Sequence, residues 1–275
     1  MNFSSGRQNF YNEIRQPDDK IDLAASALYI AQEEYPNLDV AAYLNAFDVM
    51  ASELEERLSG ERYPLRMIQA INRYLYDDLG YKGNSRDYYD PRNSFLNDVV
   101  DRRTGIPITL SLVYLEIARR INFPLVGIGM PGHFLIRPEF QNVGIFVDAF
   151  DKGEILFEQD CEERLAQIYQ RQVKLQLQPD LLQPVSSRQI LARMLANLKY
   201  IYLNRQDLPK ALTTVERILL LFPDAPLELR DSGLIHYQLG SWSKASQDLE
   251  IYLAMLPAAA DADVIRGLLE RLGNT

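Results

Sequence analysis

Cysteine and histidine, the types most often used for nucleophilic and metal chemistry, are scarce in this 275-residue chain. Its single cysteine, Cys161, excludes an internal disulfide and a paired-cysteine metal knuckle. Cys161 reads as an ordinary packed or partly exposed residue. Two histidines, His133 and His236, stand far apart in the chain, which is a poor basis for zinc, and no metal is expected. Gly127-x-Gly129 is not followed by the helix start that a phosphate-cradling loop requires, so no cofactor is expected either. What is left is imidazole, carboxylate and hydroxyl: His133 among short β-rich runs, Asp148 on the last of them, and Thr109 and Ser111 close to the start of an apolar helix.

The elements that position these residues can be read from periodicity. Leu23, Ala24, Ala27, Leu28 and Ala31 form one helical face, opened by Asp18-Asp19 and stopped by Pro36. A second stripe runs from Tyr43 to Leu58 and a third from Ile68 to Leu79, each ended by glycine. Tyr81–Phe95 loses the pattern and reads as a long loop, the kind that often carries function. Tyr88 and Tyr89 in that loop, with Asp98, Arg102 and Arg103 after it, are candidates to line a cleft beside His133. Pro107–Ile121 is apolar almost all round, as a helix buried in the middle of a domain is. Pro107 suits its first turn. The period then changes to that of strands over Leu125–Met130, His133–Arg137 and Gly144–Phe150, separated by Pro131-Gly132 and by a polar loop around Gln141-Asn142. A small antiparallel sheet packed on the buried helix is expected, with Asp151-Lys152-Gly153 as the turn after it.

From Ser186, which heads a capping-box spacing with Gln189, the chain repeats itself. Lys210 and Lys244, Ala211 and Ala245, Leu219 and Leu253, and Pro223 and Pro257 are each 34 residues apart. That period belongs to tetratricopeptide repeats, in which each unit is a pair of antiparallel helices. Leu198, Tyr202 and Gly233 fall at the matching first-helix positions, while Ser232 and His236 depart from the usual leucine and aromatic. The first helices of such pairs line a concave surface that takes extended peptides. Lys199, Tyr202, Arg205, Arg230 and His236 would make this surface mildly basic and aromatic. The expected organisation is a polar arm over 1–17, helices and core over 18–175, a linker over 176–185 and repeats over 186–275.

The strings RRTGIPITLSLVYLEIARRINFP, MPGHFLIR and FVDAF resemble the transglutaminase-like superfamily, and from about Ile21 onward the chain resembles its SirB-type branch. The resemblance implies an α+β fold, mostly helical, with the transglutaminase-like core followed by a tetratricopeptide array. Active members of the superfamily carry a cysteine at the start of the buried helix, a histidine on one strand and an aspartate on the next. The helix dipole and imidazole lower the thiol pKa, and the carboxylate orients the imidazole. His133 and Asp148 match the last two positions, and the pair should be hydrogen-bonded with Pro107 facing it. The first position does not match, because Pro107 stands where the nucleophile belongs and has no nucleophilic atom. Thr109 or Ser111 could form a hydroxyl–His–Asp set. Yet a hydroxyl one helical turn further on is displaced by about 5 Å, and misplacement near ~1 Å already weakens catalysis heavily.

Composition bears on partners and location. A net charge of −9 argues against nucleic acid and anionic membrane. Hydrophobic content of 47% is that of a globular chain, and neither a spanning helix nor a secretory segment is legible. The expectation is a cytoplasmic, non-catalytic protein-interaction or scaffold module that binds a protein or peptide through its repeats. The alternative is a hydrolase or acyltransferase using Thr109 or Ser111 with His133 and Asp148.

Overall fold

A computed structural model of the chain describes residues 4–58, 60, 62–139, 144–168 and 179–273. By internal contacts the chain divides into two compact units, Met1–Leu191 and Ala192–Thr275.

The first unit begins with helices α1 (Ser5–Ile14), α2 (Leu23–Gln32), α3 (Val40–Glu55) and α4 (Pro64–Asn72). Residues 5–14, expected as a polar arm, are helical because Phe10 and Ile14 find a buried face. The cap of α2 is Asp22, whose Oδ1 accepts from Ala25 N at 2.9 Å, whereas Asp18-Asp19 form a short 3-10 turn ahead of it. A wide π-type turn, Arg73–Asp78, extends α4 and buries Tyr74, Leu75 and Tyr76.

The loop after this turn is tightly built. Strand β1 (Lys82–Gly83) pairs in parallel with β2 (Thr104–Gly105), a contact that no periodicity announces. Asn93, fully buried, donates through Nδ2 to Asp87 O at 2.7 Å and accepts from Asn84 at 3.1 Å. Helix α5 (Leu96–Arg102) leads through Arg103, in left-handed backbone, to β2 and then to α6 (Pro107–Arg120). Helix α6 packs against α2, α3 and α5, and its all-round apolar character reflects that central place.

Beside α6 lies an antiparallel sheet in the order β3 (Leu125–Ile128), β4 (Leu135–Pro138), β5 (Phe146–Asp148) and β6 (Glu154–Leu156). Strand β6 lies just beyond the expected Asp151-Lys152-Gly153 turn and adds a fourth strand to the three expected. It pairs with β5 in the register Asp148↔Glu154. The loop expected around Gln141-Asn142 lies outside the described residues. Helix α7 (Glu158–Ile168) comes next, and the rest of the helix expected over 160–175 and the first residues of the expected linker also fall outside them.

Helix α8 (Ser187–Asn204) begins in the first unit and ends in the second. The Ser186-x-x-Gln189 spacing forms its capping box: Ser186 N donates to Gln189 Oε1 at 2.8 Å and Gln189 N to Ser186 Oγ at 3.2 Å. Asp18 adds a remote cap, its carboxylate accepting from Ser187 N and Arg188 N at 2.8 and 3.1 Å. This anchoring places the first turn of α8 with the first unit.

The second unit continues with α9 (Leu208–Leu221), α10 (Pro226–Gln238), α11 (Trp242–Met255) and α12 (Ala262–Gly273). Ala211 and Ala245 are completely buried, and Pro223 and Pro257 come just after the ends of α9 and α11. A Cβ on Gly233 would lie 2.6 Å from Leu249 Cγ, so glycine is what allows α10 and α11 to approach so closely.

Candidate functional site

An open cleft of about 840 Å3 lies in the first unit, with Lys82, Gly83, His133, Asp148, Phe150, Lys152 and Arg164 among its walls. Four separate stretches of chain meet there: the β1 loop, the Pro131–His133 turn, the end of β5 with the turn after it, and α7.

The centre of the site is Asp148, whose side chain is 1% exposed. His133 Nε2 lies 2.8 Å from its Oδ2. A carboxylate only accepts, so that nitrogen carries the proton. Arg164 of α7 donates to the same oxygen and, through its other amino group, to Glu154 on β6. The second oxygen, Oδ1, accepts from Phe150 N at 3.0 Å and Asp151 N at 3.3 Å, which fixes the turn after β5. Burial by itself would raise the pKa of Asp148, but the bonds from His133 and Arg164 outweigh it and hold the carboxyl below its usual range. His133 sits in the turn two residues ahead of β4, not on the strand where the sequence suggested it.

Aromatic rings surround this polar centre. Phe150 stands edge-on to His133 with centroids 6.3 Å apart, and Tyr88 stands edge-on to Phe150 at 6.1 Å. Gly83 presses its backbone onto Phe150, since a Cβ there would come within 2.7 Å of the ring. Tyr76, behind the cleft, donates to Ala149 O at 2.9 Å, and Asn72 donates to Gly153 O at 2.7 Å. Helical layer and post-β5 turn are thereby tied together.

The hydroxyls considered as substitute nucleophiles lie elsewhere. Thr109 Oγ1 donates to Asn93 O at 2.7 Å and accepts from Ile106 N at 3.1 Å, completely buried. It joins the start of α6 to the Tyr81–Phe95 loop. Ser111 is also completely buried, and its Oγ has no hydrogen-bond partner among the described residues. Neither side chain is a wall of the cleft, nor is the buried Pro107. Burial pushes the Cys161 thiol up to about 11, and its side chain packs with Ile128, Leu135 and Leu165. Asp98 is engaged by Tyr35, Arg102 by Asp90 and Arg103 by Leu79 O, so these three do not line the cleft.

Comparison with known proteins agrees with this architecture. The profile of the transglutaminase-like superfamily matches residues 41–196, and a tetratricopeptide repeat profile matches 198–270. A UPF0162 protein of Xylella fastidiosa (strain 9a5c) is 39% identical over 276 residues, covering 96% of this chain and 95% of its own. A UPF0162 protein of Vibrio cholerae is 29% identical, with 88% and 87% covered. Mouse F-box only protein 21 is 30% identical over 82% of this chain and 35% of its own length. The chain belongs to the transglutaminase-like superfamily.

Within this superfamily member the SirB-type arrangement, a transglutaminase-like core followed by tetratricopeptide repeats, extends over most of the chain. The repeat-surface residues are placed differently from expectation. Lys199 bonds Glu228 and Asp231 at 2.8 Å, and Arg230 bonds Asp231 and Asp261. Burial opposes the charge on Lys199, yet these carboxylates outweigh it and keep its pKa above the usual value. Tyr202 and His236 are buried, and Ser232 donates to Asp248 at 2.6 Å. Of the five residues expected to make a basic, aromatic groove, Arg205 alone is exposed. The reason is the repeat itself: stacked first helices bring residues of one unit against those of the next, and the cations there meet acids. The sequence reading also missed Arg164, Lys82 and Phe150 at the cleft. Arg164 lies in a polar helix with no motif, so nothing local marked it.

Proposed function

We propose that this chain is a non-catalytic protein-interaction module in which the transglutaminase-like core supplies a binding cleft and the tetratricopeptide helices supply a second protein-binding surface. The observation that supports the reading is the start of α6, where Pro107, which has no nucleophilic atom, opens the helix and the hydroxyls that follow it, Thr109 and Ser111, are completely buried and do not line the cleft. The electrostatics support it. A triad aspartate serves by stabilising an imidazolium, whereas Asp148 shares its charge with the Arg164 guanidinium. The repeats support the interaction half, because stacked helix pairs of this kind commonly bind partner segments. No helix among the described residues is long and apolar enough to cross a membrane, and we place the module in the cytoplasm.

Steady-state and burst assays with p-nitrophenyl esters and glutamine peptides test the catalytic half. The expected result is no turnover above buffer and no covalent adduct by mass spectrometry. A burst abolished by Ser111→Ala or Thr109→Ala in a folded variant overturns the reading in favour of a hydroxyl-based acyltransferase.

A further inference from the structure

We propose that the His133 cleft receives the carboxylate end of a peptide, with Lys82 and Lys152 binding the carboxylate and Phe150 the side chain of the last residue. The inference rests on the reading of the cleft as a binding site and names what it binds.

Several charges in the cleft are already used. Arg164 gathers the local acids: Asp148 and Glu154 by direct bonds, and Asp151 through its field. Asp148 is further occupied by His133 and two backbone N–H groups. Lys82 and Lys152 are different. Both line the cleft, both are exposed, and neither has an ion-pair partner among the described residues. In a chain of net charge −9, two uncommitted cations on one concave surface mark a local site for negative charge.

Their backbones are held in place, which lowers the cost of binding. Lys82 belongs to β1, and its N–H donates to Arg103 O at 3.0 Å. Lys152 sits at φ 51° in the turn closed by Gly153 N donating to Asp148 O at 2.8 Å. Exposed Ser85 adds a hydroxyl to the wall that carries Lys82.

Size and lining decide what kind of anion fits. About 840 Å3 is far more than an inorganic ion fills and lies within the range of sites for organic ligands. The wall next to the lysines is the Phe150 ring, braced by Tyr88 and seated on the Gly83 backbone. A carboxylate joined to an apolar side chain meets both features at once. A peptide C-terminus ending in an apolar residue has that chemistry, and chain ends are a recurring object of recognition.

The test uses the full-length chain, immobilised, and two pools of random N-acetylated hexapeptides, one with free C-termini and one amidated. At low salt the free-acid pool should be retained about tenfold better, the equivalent of one charge-assisted contact, with apolar last residues enriched. Affinity of the best resynthesised peptide should fall about tenfold in Lys82→Ser/Lys152→Ser, which removes two exposed and unpaired side chains. Phe150→Ala should keep the preference for the free acid while flattening the preference for an apolar last residue. Equal retention of the two pools overturns the proposal, and so does retention unchanged in the double lysine variant, which would locate binding on the repeats and leave the interaction-module reading standing. Cleavage or acyl transfer of a bound peptide, read by mass spectrometry, instead defeats the non-catalytic reading, while the lysine variants still decide who holds the carboxylate.

Discussion

At the scale of single residues, Asp148 joins four donors through two oxygens and connects His133, α7 and the turn after β5. Arg164→Ala leaves this buried carboxylate with one fewer charged partner. Because Arg164 is 28% exposed, water recovers part of the loss, and unfolding in urea should show about 2 kcal/mol of destabilisation. The two hydroxyls of α6 should separate cleanly in the same measurement. Thr109→Ala orphans Ile106 N and Asn93 O and should cost about 1–2 kcal/mol. Ser111→Ala removes an oxygen that has no partner among the described residues and should be neutral or stabilising by up to ~1 kcal/mol. A large loss on Ser111→Ala would mean that its hydroxyl has a partner after all.

At the scale of elements, the repeats depend on close approach and on cross-helix polar pairs. Gly233→Ala drives a methyl into Leu249, and neither packed helix can move without disturbing the buried Ala245 beside it. A loss of about 1–3 kcal/mol is expected, as for other overpacked contacts, and an unchanged melting temperature would contradict the α10–α11 geometry. The Asp18 cap offers a second test. Asp18→Ala frees Ser187 N and Arg188 N at the start of α8 and should cost about 1 kcal/mol, with faster hydrogen exchange confined to that turn. These elements were largely legible in advance. The 34-residue period located the repeats, and the all-round apolar run located α6, since both signals are local and periodic. The β1–β2 pairing and β6 were not legible, because strands of two or three residues are too short to show a period.

For the molecule as a whole, pH sums contributions from distant sites. His236 is buried with Nδ1 lacking a hydrogen-bond partner among the described residues, and burial holds its pKa below the usual histidine value. The unfolded chain therefore takes up this proton first as pH falls. Stability is full above about pH 6.5 and declines from there down to the depressed folded value. Asp148, also depressed, keeps its contribution above about pH 4 and loses it as pH falls through its folded value. Urea midpoints measured from about pH 7.5 down to about pH 2 should show both declines. His236→Gln should flatten the first and Asp148→Asn the second; a single decline unaffected by either variant would refute the assignment.

Short stretches of chain encoded the helical faces, the repeat period and the family strings. Even the His133–Asp148 pair was accessible, through motif match rather than geometry. Which side chains share a space was settled only by packing. Packing set Arg164 on Asp148, buried Thr109 and Ser111 away from the cleft, and paired Lys199 and Arg230 with acids instead of leaving them for a partner. It also left Lys82 and Lys152, 70 residues apart in the chain, as cations on one concave wall. Periodicity and capping act over a few residues, whereas charge pairing and burial depend on distances in space that the packed chain alone defines.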